Sequence, residues 1–382
     1  MPSKFPGASY WELNNPVFQT DICVIGGGFT AVWTAWFLKQ KLPKVNITLI
    51  DALTNGRAAS TRNAGFLCYG SPSEVLADIE TMGEDQAVEL VRKRLEGLHL
   101  IKKIIPAERT EMQFHGGREF FPSSMESLWN KTEKNLPYLN DLLEAVIGFK
   151  PYSIGKADDP LKNGNCIHIK EEGSINPAAL IYYLNKELRK KGVDIVEGTK
   201  IKKINSQGDS VNLHTDSGGI FHAKKVLVAT NGFTSSLISK IPEIRPARNS
   251  VIVLKTSSPL KLKGSYHSNE GYIYFRNVGE YLLIGGGRNW FKEKEFTESM
   301  EVRVEIVNKL IDFAKNELFH PKYDFQALMS WSGIMGVGNE KSPVFKWTDQ
   351  NILVAARLSG MGVALCPLLG KKASTELGKY FQ

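Results

Sequence analysis

The chain has 382 residues, 42% of them hydrophobic, and a formal net charge of +8. At about 100 to 200 residues per domain this length predicts two domains, and the composition excludes a disordered chain. No segment approaches the roughly 18 uninterrupted apolar residues of a membrane span, and residues 1–15 hold no apolar run that fits a secretory signal. We therefore expect a cytoplasmic protein without a membrane span.

The charge and the cysteines add two further exclusions. The basic residues lie in short groups such as 189–191 and 200–203, without the interleaved aromatic residues of a nucleic-acid-binding face, so nucleic acid is not the expected partner. A basic field still attracts an anionic substrate or cofactor. The four cysteines (Cys23, Cys68, Cys166 and Cys366) include no close pair, which predicts four reduced thiols, no disulfide framework and no metal site.

The stretch DICVIGGGFTAVWTAWFLKQ (21–40) predicts a strand, a tight turn and a helix. Gly26 permits the turn, and Gly28 lets the backbone approach a pyrophosphate without an intervening Cβ. The amides at the start of the helix, at Phe29 and Thr30, then face the anion. Ala31 takes the place of the third glycine of the dinucleotide-binding pattern, where only close helix packing is needed.

The next strand, VNITLID, ends at Asp51, 20 positions after Ala31 (51 − 31 = 20). A carboxylate at this strand end accepts hydrogen bonds from ribose hydroxyls and repels a 2′-phosphate, which argues against an NADP-type cofactor. The alternative is a glycine-containing strand–helix junction with an incidental surface aspartate. Strand, glycines, helix, second strand and acid in register within about 30 residues favour the dinucleotide fold.

The rest of the chain predicts a nucleotide domain interrupted by a second domain. Helices are expected over about 72–106 and 124–146, and an amphipathic helix within 173–192 enters through Asn176-Pro177. VNLHTDSGGIFHA predicts a hairpin, and KVLVATNGFTSSL a buried strand leading into a helix. Strands between 248 and 290 alternate as in an antiparallel sheet, followed by a predicted helix over 297–318. The block NILVAARLSGMGVALCPLLGKKASTEL again predicts strand, glycine turn and helix.

The order of these motifs resembles the D-amino acid oxidase-like flavoprotein superfamily, most closely its glycine oxidase, sarcosine oxidase and γ-glutamylputrescine oxidase-like branch. The resemblance implies an α/β fold with an α+β insert, in which a discontinuous, glutathione-reductase-type Rossmann-like FAD domain (16–75, 168–242 and 328–382) accompanies an antiparallel-sheet substrate domain (76–167 and 243–327). The motifs that carry it are SYW near the start, GGGFTA, AASTRNAGFL (58–67), GSINPAAL (173–180), VLVATNGF (226–233), RPARNSVIV (245–253), GYIYFRN and YLLIGGGR (271–288), SWSGIMGVGNEKSPVF (330–345) and VAARLSGMGVALCP (354–367).

The resemblance implies bound FAD. It places the pyrophosphate over the turn at 26–30, the adenosine ribose at Asp51, the adenine near Ile201, and the ribityl chain and isoalloxazine along 60–65. The turn SGMGVAL would direct helix N-terminal amides at the pyrimidine edge of the flavin, which raises the reduction potential of the ring. The residues implied at the cofactor are Gly26, Gly28, Phe29, Thr30, Asp51, Ala52, Ala59, Ser60, Thr61, Arg62, Asn63, Ala64, Gly65, Ile201, Ala229, Thr230, Asn231, Gly232, Gly333, Gly360, Met361, Gly362 and Val363.

Three departures from the family pattern bear on function. Covalent relatives carry a cysteine in the region that matches residues 331–338, and none is present here, which predicts non-covalent FAD. Ala356 and Arg357 stand where many relatives have threonine and glycine, so that Arg357 either enters or closes the site. NEKSPVFKW replaces the arginine-proline and aspartate-glycine signature of α-amino acid oxidases, which puts a standard carboxylate clamp in doubt.

The implied reaction is oxidation of a carbon–nitrogen bond in a small amine or amino acid by hydride transfer to flavin N5, with oxygen or another carrier as final acceptor. Such chemistry depends mainly on orientation and desolvation of the amine. Residue types and strand alternation suggest six catalytic candidates, each with a structural alternative as a sheet or loop residue: Tyr274, Arg276, Arg248, Trp331, Arg357 and His115.

Alternatives to this function stay open from sequence. One is a flavin-binding sensor or assembly protein without amine oxidase activity, which the missing clamp favours. A second is flavin-dependent RNA modification, which would use the basic charge. An NAD-dependent dehydrogenase is disfavoured because it leaves the C-terminal turn and the 60–65 loop without a role. Neither the substrate nor the oligomeric state follows from the sequence.

Overall fold

The structure is a computed structural model that describes residues 11, 18–54 and 58–381. Most of the SYW motif and the first two residues of the predicted FAD domain lie outside the described residues. The chain divides into two compact units: residues 1–61, 178–246 and 335–382 form the first, and residues 62–177 and 247–334 form the second.

These unit boundaries differ from the segments drawn from sequence. Residues 62–75, 168–177 and 328–334 belong to the second unit, and residues 243–246 to the first. Two short strands, Phe66–Leu67 and Gly173–Ser174, explain the first two differences, because they pair with each other within the second unit. The backbone amide of Ile175 also donates to the carbonyl of Gly65 at 2.8 Å.

The elements are labelled here in chain order. The strands of the described residues are β1 (Gln19–Ile25), β2 (Ile47–Asp51), β3 (Phe66–Leu67), β4 (Gly117–Pro122), β5 (Tyr152–Gly155), β6 (Gly164–Ile169), β7 (Gly173–Ser174), β8 (Val193–Glu197), β9 (Ile201–Gln207), β10 (Ser210–Thr215), β11 (Ile220–Val228), β12 (Arg245–Thr256), β13 (Ser265–Ser268), β14 (Ile273–Val278), β15 (Tyr281–Gly286), β16 (Phe325–Val337), β17 (Val344–Trp347) and β18 (Ile352–Ala356). The α-helices are α1 (Phe29–Lys41), α2 (Ala59–Arg62), α3 (Pro72–Met82), α4 (Glu84–Ile104), α5 (Ala107–Thr110), α6 (Glu126–Ile147), α7 (Pro177–Lys190), α8 (Val304–Phe313) and α9 (Gly362–Gly378).

The first unit contains a largely parallel sheet in the order β17-β18-β11-β1-β2-β8, with β9 and β10 added as an antiparallel extension from β11. β1 pairs in parallel with both β11 and β2. Every residue of β2 is buried, as expected for a strand covered on both faces. Helices α1 and α9 pack closely, since a Cβ at Gly370 would lie 2.6 Å from the Cβ of Trp33.

The second unit contains an eight-stranded sheet in the order β16-β12-β15-β14-β13-β4-β6-β5. One face carries an apolar core that includes Phe120, Tyr266, Phe275 and Ile284. Strand alternation sends Glu119, His267, Tyr274 and Gly285 to the opposite face, where the recorded register aligns them directly across four neighbouring strands. This row of polar side chains belongs to the candidate site described below.

Most predicted elements are confirmed. Helices cover 72–104 with one break and 126–147, the hairpin of β10 and β11 forms, and β12, β14 and β15 are antiparallel. The predicted helix over 297–318 is wrong at its start, because α8 begins at Val304. The side chains of Thr297 and Ser299 accept hydrogen bonds from the amides of Ser299 and Glu301, and such local bonds compete with a helix.

Two further findings concern the cysteines and the length of the helices. All four cysteines are unpaired and buried, as the sequence predicted for reduced thiols. Within the described residues, no helix combines the length and apolar character needed to cross a bilayer.

Candidate functional site

The glycine turn of the first unit brings the backbone close to its neighbours just before the start of α1. Gly26 has φ +114°, and a Cβ there would lie 2.7 Å from the carbonyl oxygen of Ala229, so glycine is required by both conformation and space. Gly28 has an ordinary φ of −77° and precedes the first residue of α1. Its missing Cβ leaves a gap bordered by the Ser60 hydroxyl, 2.9 Å from the Cβ position.

The start of α1 is suited to an anion. No acidic side chain lies in its first turn, and the amide of Phe29 donates to Ser60 Oγ at 3.0 Å. Thr30 Oγ1 lies 3.3 Å from Cys366 Sγ and so connects α1 to α9. Exposed amides at a helix start, next to glycines that lack side chains, form a typical phosphate-binding arrangement.

Asp51 ends β2 beside this turn. One carboxylate oxygen accepts the amide of Leu53 at 3.1 Å, and the amides of Gly27 and Ala52 also donate to the carboxyl group. Burial raises the pKa of Asp51, and Glu197, opposite Asp51 on β8, raises it further, while these hydrogen bonds act in the other direction. The carboxyl group is thus held at the strand end where a ribose-binding acid is expected.

The C-terminal turn of the first unit is conformationally unusual. Arg357, Ser359 and Gly360 all have positive φ, at 62°, 49° and 91°. The turn is tied down by the Ser359 amide, which donates to the carbonyl of Gly336 at 3.0 Å, and by Leu358, whose amide donates to Asn231 Oδ1 at 3.3 Å. α9 starts directly after it, at Gly362, so this turn too presents a helix N-terminus.

Arg357 is engaged within the first unit. Its guanidinium donates to the carbonyls of Ser342 (2.9 Å) and Glu243 (3.2 Å) and to the carboxylate of Glu340 (2.9 Å), and the residue is only 3% exposed. These bonds give Arg357 a structural task in holding the loop at 340–342.

The remaining first-unit candidates lie at or next to strand ends. Ile201 is buried at the start of β9. Residues 229–232 follow β11, where the amide of Ala229 donates to the carbonyl of Ile25 at 2.9 Å. Asn231 adopts φ +48° and begins a 3₁₀ helix at Asn231–Ser236. The structure therefore places the ends of β1, β2 and β11 in one sheet, where ligands of this fold bind.

The segment at 62–65 in the second unit is stabilised by backbone contacts. Two hydrogen bonds join the end of α2 to β16: Arg62 Nη1 donates to the carbonyl of Ser332 and Trp331 Nε1 donates to the carbonyl of Arg62, both at 2.9 Å. Asn63 Oδ1 accepts the amide of Gly65 at 2.8 Å. Gly65 has φ +71°, and a Cβ there would lie 2.0 Å from the carbonyl oxygen of Ile175.

Arg276 on β14 contacts this same segment. Its Nε donates to the carbonyl of Ala64 at 2.8 Å, and its two terminal nitrogens donate weakly to the carbonyls of Asn277 and Ile175, at 3.5 and 3.4 Å. Within the described part of the chain, all of its hydrogen-bond acceptors are thus neutral carbonyls. Burial lowers the pKa of Arg276, although the guanidinium stays charged.

Tyr274 lies two residues before Arg276 on the same face of β14, as the sequence predicted. Its hydroxyl accepts a hydrogen bond from Asn249 Nδ2 at 3.0 Å, and its ring covers Gly285, where a Cβ would approach it to 2.5 Å. Phe66 contacts the ring edge-on, with centroids 5.6 Å apart. Burial raises the pKa of the Tyr274 phenol, so the hydroxyl keeps its proton.

Arg248 and His115 have structural surroundings. Arg248 Nε and Nη2 each lie 2.8 Å from a carboxylate oxygen of Glu295, and both residues are nearly inaccessible. Arg303 also binds Glu295, at 2.7 Å. His115 is exposed and contacts the Gly116 carbonyl and the Ser174 hydroxyl. For both residues, these contacts match the structural alternative described for the sequence.

Sequence reasoning missed the buried polar row next to Tyr274. Burial raises the pKa of Glu119 to about 7, although Ser73 donates hydrogen bonds to it from its amide and hydroxyl. Burial acts to lower the pKa of His267, but Glu172, with Oε2 at 3.2 Å from Nε2, outweighs it and the net shift is upward. The one sequence feature that could have indicated this row is a charged residue, Glu119, next to the apolar residues of the stretch REFFP.

The residues present fit a flavin dinucleotide. Gly28 keeps the start of α1 free of its own side chain, and Asp51 places a carboxylate, the acceptor type that a ribose requires, at the end of β2. A second helix N-terminus follows the strained turn at 357–360. Asp51, the glycines at 26 and 28 and the turn at 357–360 belong to the first unit, and Gly65 belongs to the second.

Comparison with known proteins adds the following. The profile of the family described as FAD dependent oxidoreductase (DAO) matches residues 21–375. The Rhizobium meliloti (strain 1021) protein named "Probable oxidoreductase OrdL" is 26% identical over 98% of this chain and 89% of its own length. The gamma-glutamylputrescine oxidoreductase of Escherichia coli (strain K12) is 24% identical over 94% of this chain and 84% of its own length.

Among solved structures, glycine oxidase from Bacillus cereus ATCC 14579 superposes with a TM-score of 0.74 at 16% identity, over 94% of this chain and 95% of that one. Likeness at this level of identity shows the fold. It agrees with the discontinuous α/β architecture with an antiparallel second sheet that the sequence predicted.

Proposed function

The chain belongs to the family of FAD-dependent oxidoreductases, and on that premise we propose that it oxidises the carbon–nitrogen bond of a small amine or amino acid. Relatives named for glycine, γ-glutamylputrescine and proline oxidation or dehydrogenation support this substrate class. When bound, FAD would supply the acceptor of the hydride, which carries both electrons of the oxidation. The residues of the chain would then bind the amine or amino acid, orient it and exclude water from it.

We assign the dinucleotide to the residues described in the first unit. The amides at the start of α1 would hold the pyrophosphate beside Gly26 and Gly28, and Asp51 would accept the ribose hydroxyls. The turn at 360–363 is assigned to the flavin end. We propose non-covalent attachment, because residues 331–338 contain no cysteine and Cys366 contacts Thr30.

One observation carries the substrate assignment: Arg276 is a largely buried cation whose described hydrogen bonds all go to neutral carbonyls. Glu111 is its recorded charged neighbour, and it makes no hydrogen bond to Arg276 among the described residues, so an anionic substrate group would gain by binding directly to the guanidinium. Tyr274 lies on the same face of β14 and offers a protonated hydroxyl. These two residues would orient an amino acid through its carboxylate.

The other four candidates are proposed to have structural roles. Trp331 holds the carbonyl of Arg62, Arg248 neutralises Glu295, Arg357 holds the loop at 340–342, and His115 binds Ser174. Arg248 and Arg357 each bind a carboxylate, whereas the described hydrogen bonds of Arg276 go to neutral carbonyls.

The first test is the visible spectrum of the purified protein before and after denaturation and filtration. A yellow protein whose chromophore passes the filter as FAD supports the cofactor assignment, whereas chromophore retained with the chain contradicts non-covalent attachment. Amino acids and the matching amines without a carboxylate are then compared as reductants. Preference for the amino acid supports the Arg276 assignment, and equal rates contradict it. Hydrogen peroxide formation in air distinguishes oxygen from another carrier as acceptor.

A further inference from the structure

We propose that Cys68, Glu172 and His267, in the second unit, bind a zinc ion. Their donor atoms, a thiol sulfur, a carboxylate oxygen and an imidazole nitrogen, all lie within 4.8 Å of one another, and all three residues are buried. The proposal is independent of the oxidation reaction, because it rests only on this group of side chains.

The backbone brings these residues together by strand pairing. β3 and β7 are antiparallel, with Phe66 opposite Ser174 and Leu67 opposite Gly173. Cys68 and Glu172 are the next opposed positions, immediately beyond the two strands. Directly opposed side chains lie about 5 Å apart at Cβ, a separation that a single metal ion bridges. His267 comes from β13, which is anchored next to Glu172 by the bond from Ser265 Oγ to the carbonyl of Gly173 at 3.0 Å.

The carboxylate of Glu172 and the imidazole of His267 already lie close enough together to share a metal ion. Glu172 Oε1 accepts the amide of Tyr69 at 3.0 Å, which fixes the carboxylate and turns Oε2 toward His267 Nε2, 3.2 Å away. Zinc bond lengths of about 2.0 to 2.3 Å in tetrahedral geometry separate ligand atoms by about 3.3 to 3.7 Å. The carboxylate–imidazole distance of 3.2 Å lies just below this range, and a movement of about 1 Å by the thiol would complete the group.

The Cys68 thiol supports a ligand independently of that distance. Cys68 is 7% exposed and, among the described residues, forms no hydrogen bond, although it lies beside a carboxylate and an imidazole. Packing alone does not require a polarizable thiol at such a polar position, since buried cysteine otherwise behaves as a small apolar residue.

Charge and ligand chemistry favour zinc. A thiolate and a carboxylate carry two negative charges and neutral imidazole carries none, so a divalent cation makes the buried group neutral. Sulfur and nitrogen donors exclude magnesium and calcium, which take oxygen ligands. Three protein ligands with a fourth position for water are a known zinc arrangement.

The test measures zinc in the full-length holoprotein after equilibration with micromolar Zn²⁺ and removal of free metal. We expect about one zinc per chain in the wild type and a loss of affinity above about 100-fold in Cys68→Ser, because even outer-shell changes cost 10- to 100-fold. Cys166→Ser is the matched control: it removes another buried thiol from the second unit, within the apolar core, and should retain zinc.

X-ray absorption at the zinc edge of the wild type provides a readout that does not depend on the folding of any variant. One sulfur at about 2.3 Å with nitrogen and oxygen at about 2.0 to 2.2 Å is the expected shell. A wild-type protein that binds no zinc would show a buried Glu172–His267 ion pair only and overturn the proposal. Equal zinc affinity in Cys68→Ser, or a shell without sulfur, would overturn it as well.

Discussion

Replacing Gly28 with alanine separates cofactor binding from folding. Gly28 has φ −77°, which alanine adopts readily, and the nearest atom to the added methyl group is the Ser60 hydroxyl at 2.9 Å, the end of a short side chain that can rotate. The same substitution at Gly26 would meet the carbonyl of Ala229 at a positive φ and so disturb the fold itself. Gly28→Ala is therefore the informative variant.

The expected magnitudes follow from the contacts. Rotation of Ser60 loses its bond to the Phe29 amide, which costs about 0.5 to 1.5 kcal/mol of stability. A methyl group at the pyrophosphate position removes at least one charge-assisted hydrogen bond of about 1.5 to 3 kcal/mol, equivalent to an increase of about 10- to 150-fold in Kd for FAD.

Titration of FAD into deflavinated protein, with flavin fluorescence as the readout, measures this change. Gly378→Ala is the matched control, because Gly378 ends α9 and an added Cβ there makes only a 3.4 Å contact with Leu42. Binding of FAD to Gly28→Ala within threefold of the wild type, with an unchanged melting temperature, would refute the assignment of the turn to the pyrophosphate.

Two further predictions concern the second unit. Arg276→Lys keeps the charge but loses the planar fork, so kcat/KM for an amino-acid substrate should fall about 10- to 100-fold through KM while flavin content is unchanged; a change below threefold would contradict the substrate role. The pKa of Glu295 lies below its ordinary 4.5, since hydrogen bonds from Arg248 and Arg303 outweigh the opposing effect of burial. The ion pair therefore contributes its full stabilisation above about pH 4.5, the ordinary pKa, and this contribution is lost as the pH falls through the lower native pKa. Glu295→Gln should lower the melting temperature at pH 7, where it leaves Arg248 uncompensated, and the gap to the wild type should close in acid. The exposed Glu298→Gln is the control, and a gap that stays constant as the pH falls through the acid range would be contrary to this reasoning.

The parts of the fold that the sequence predicted are those with local signals. Gly26, Gly28 and Asp51 lie within one strand–helix–strand unit, and the alternating strands β14 and β15 adjoin in sequence. Tyr274 and Arg276 were placed correctly on one face because the strand period alone decides it. These features need no knowledge of distant partners.

Other features depend on partners far along the chain. The partner of Arg248 is Glu295, 47 residues away in the chain, so the sequence around Arg248 does not reveal the structural role of this arginine. The strands β3 and β7 have two residues each, too few to show a periodicity in the sequence. The first segment of the FAD domain was therefore predicted to end at residue 75, whereas the first segment of the first unit ends at residue 61. Cysteine spacing predicted no metal site, and it carries no information on the group proposed at Cys68, because Glu172 and His267 are separated by 95 residues.

The most direct test of amine oxidation is anaerobic mixing of the holoprotein with small amino acids, with the flavin absorbance followed in time. The account predicts bleaching by at least one amino acid, slowed several-fold when the hydrogen on the carbon bearing nitrogen is replaced by deuterium, because that C–H bond breaks as the hydride leaves. A flavin that dithionite reduces but no amine or amino acid bleaches would contradict the proposed function.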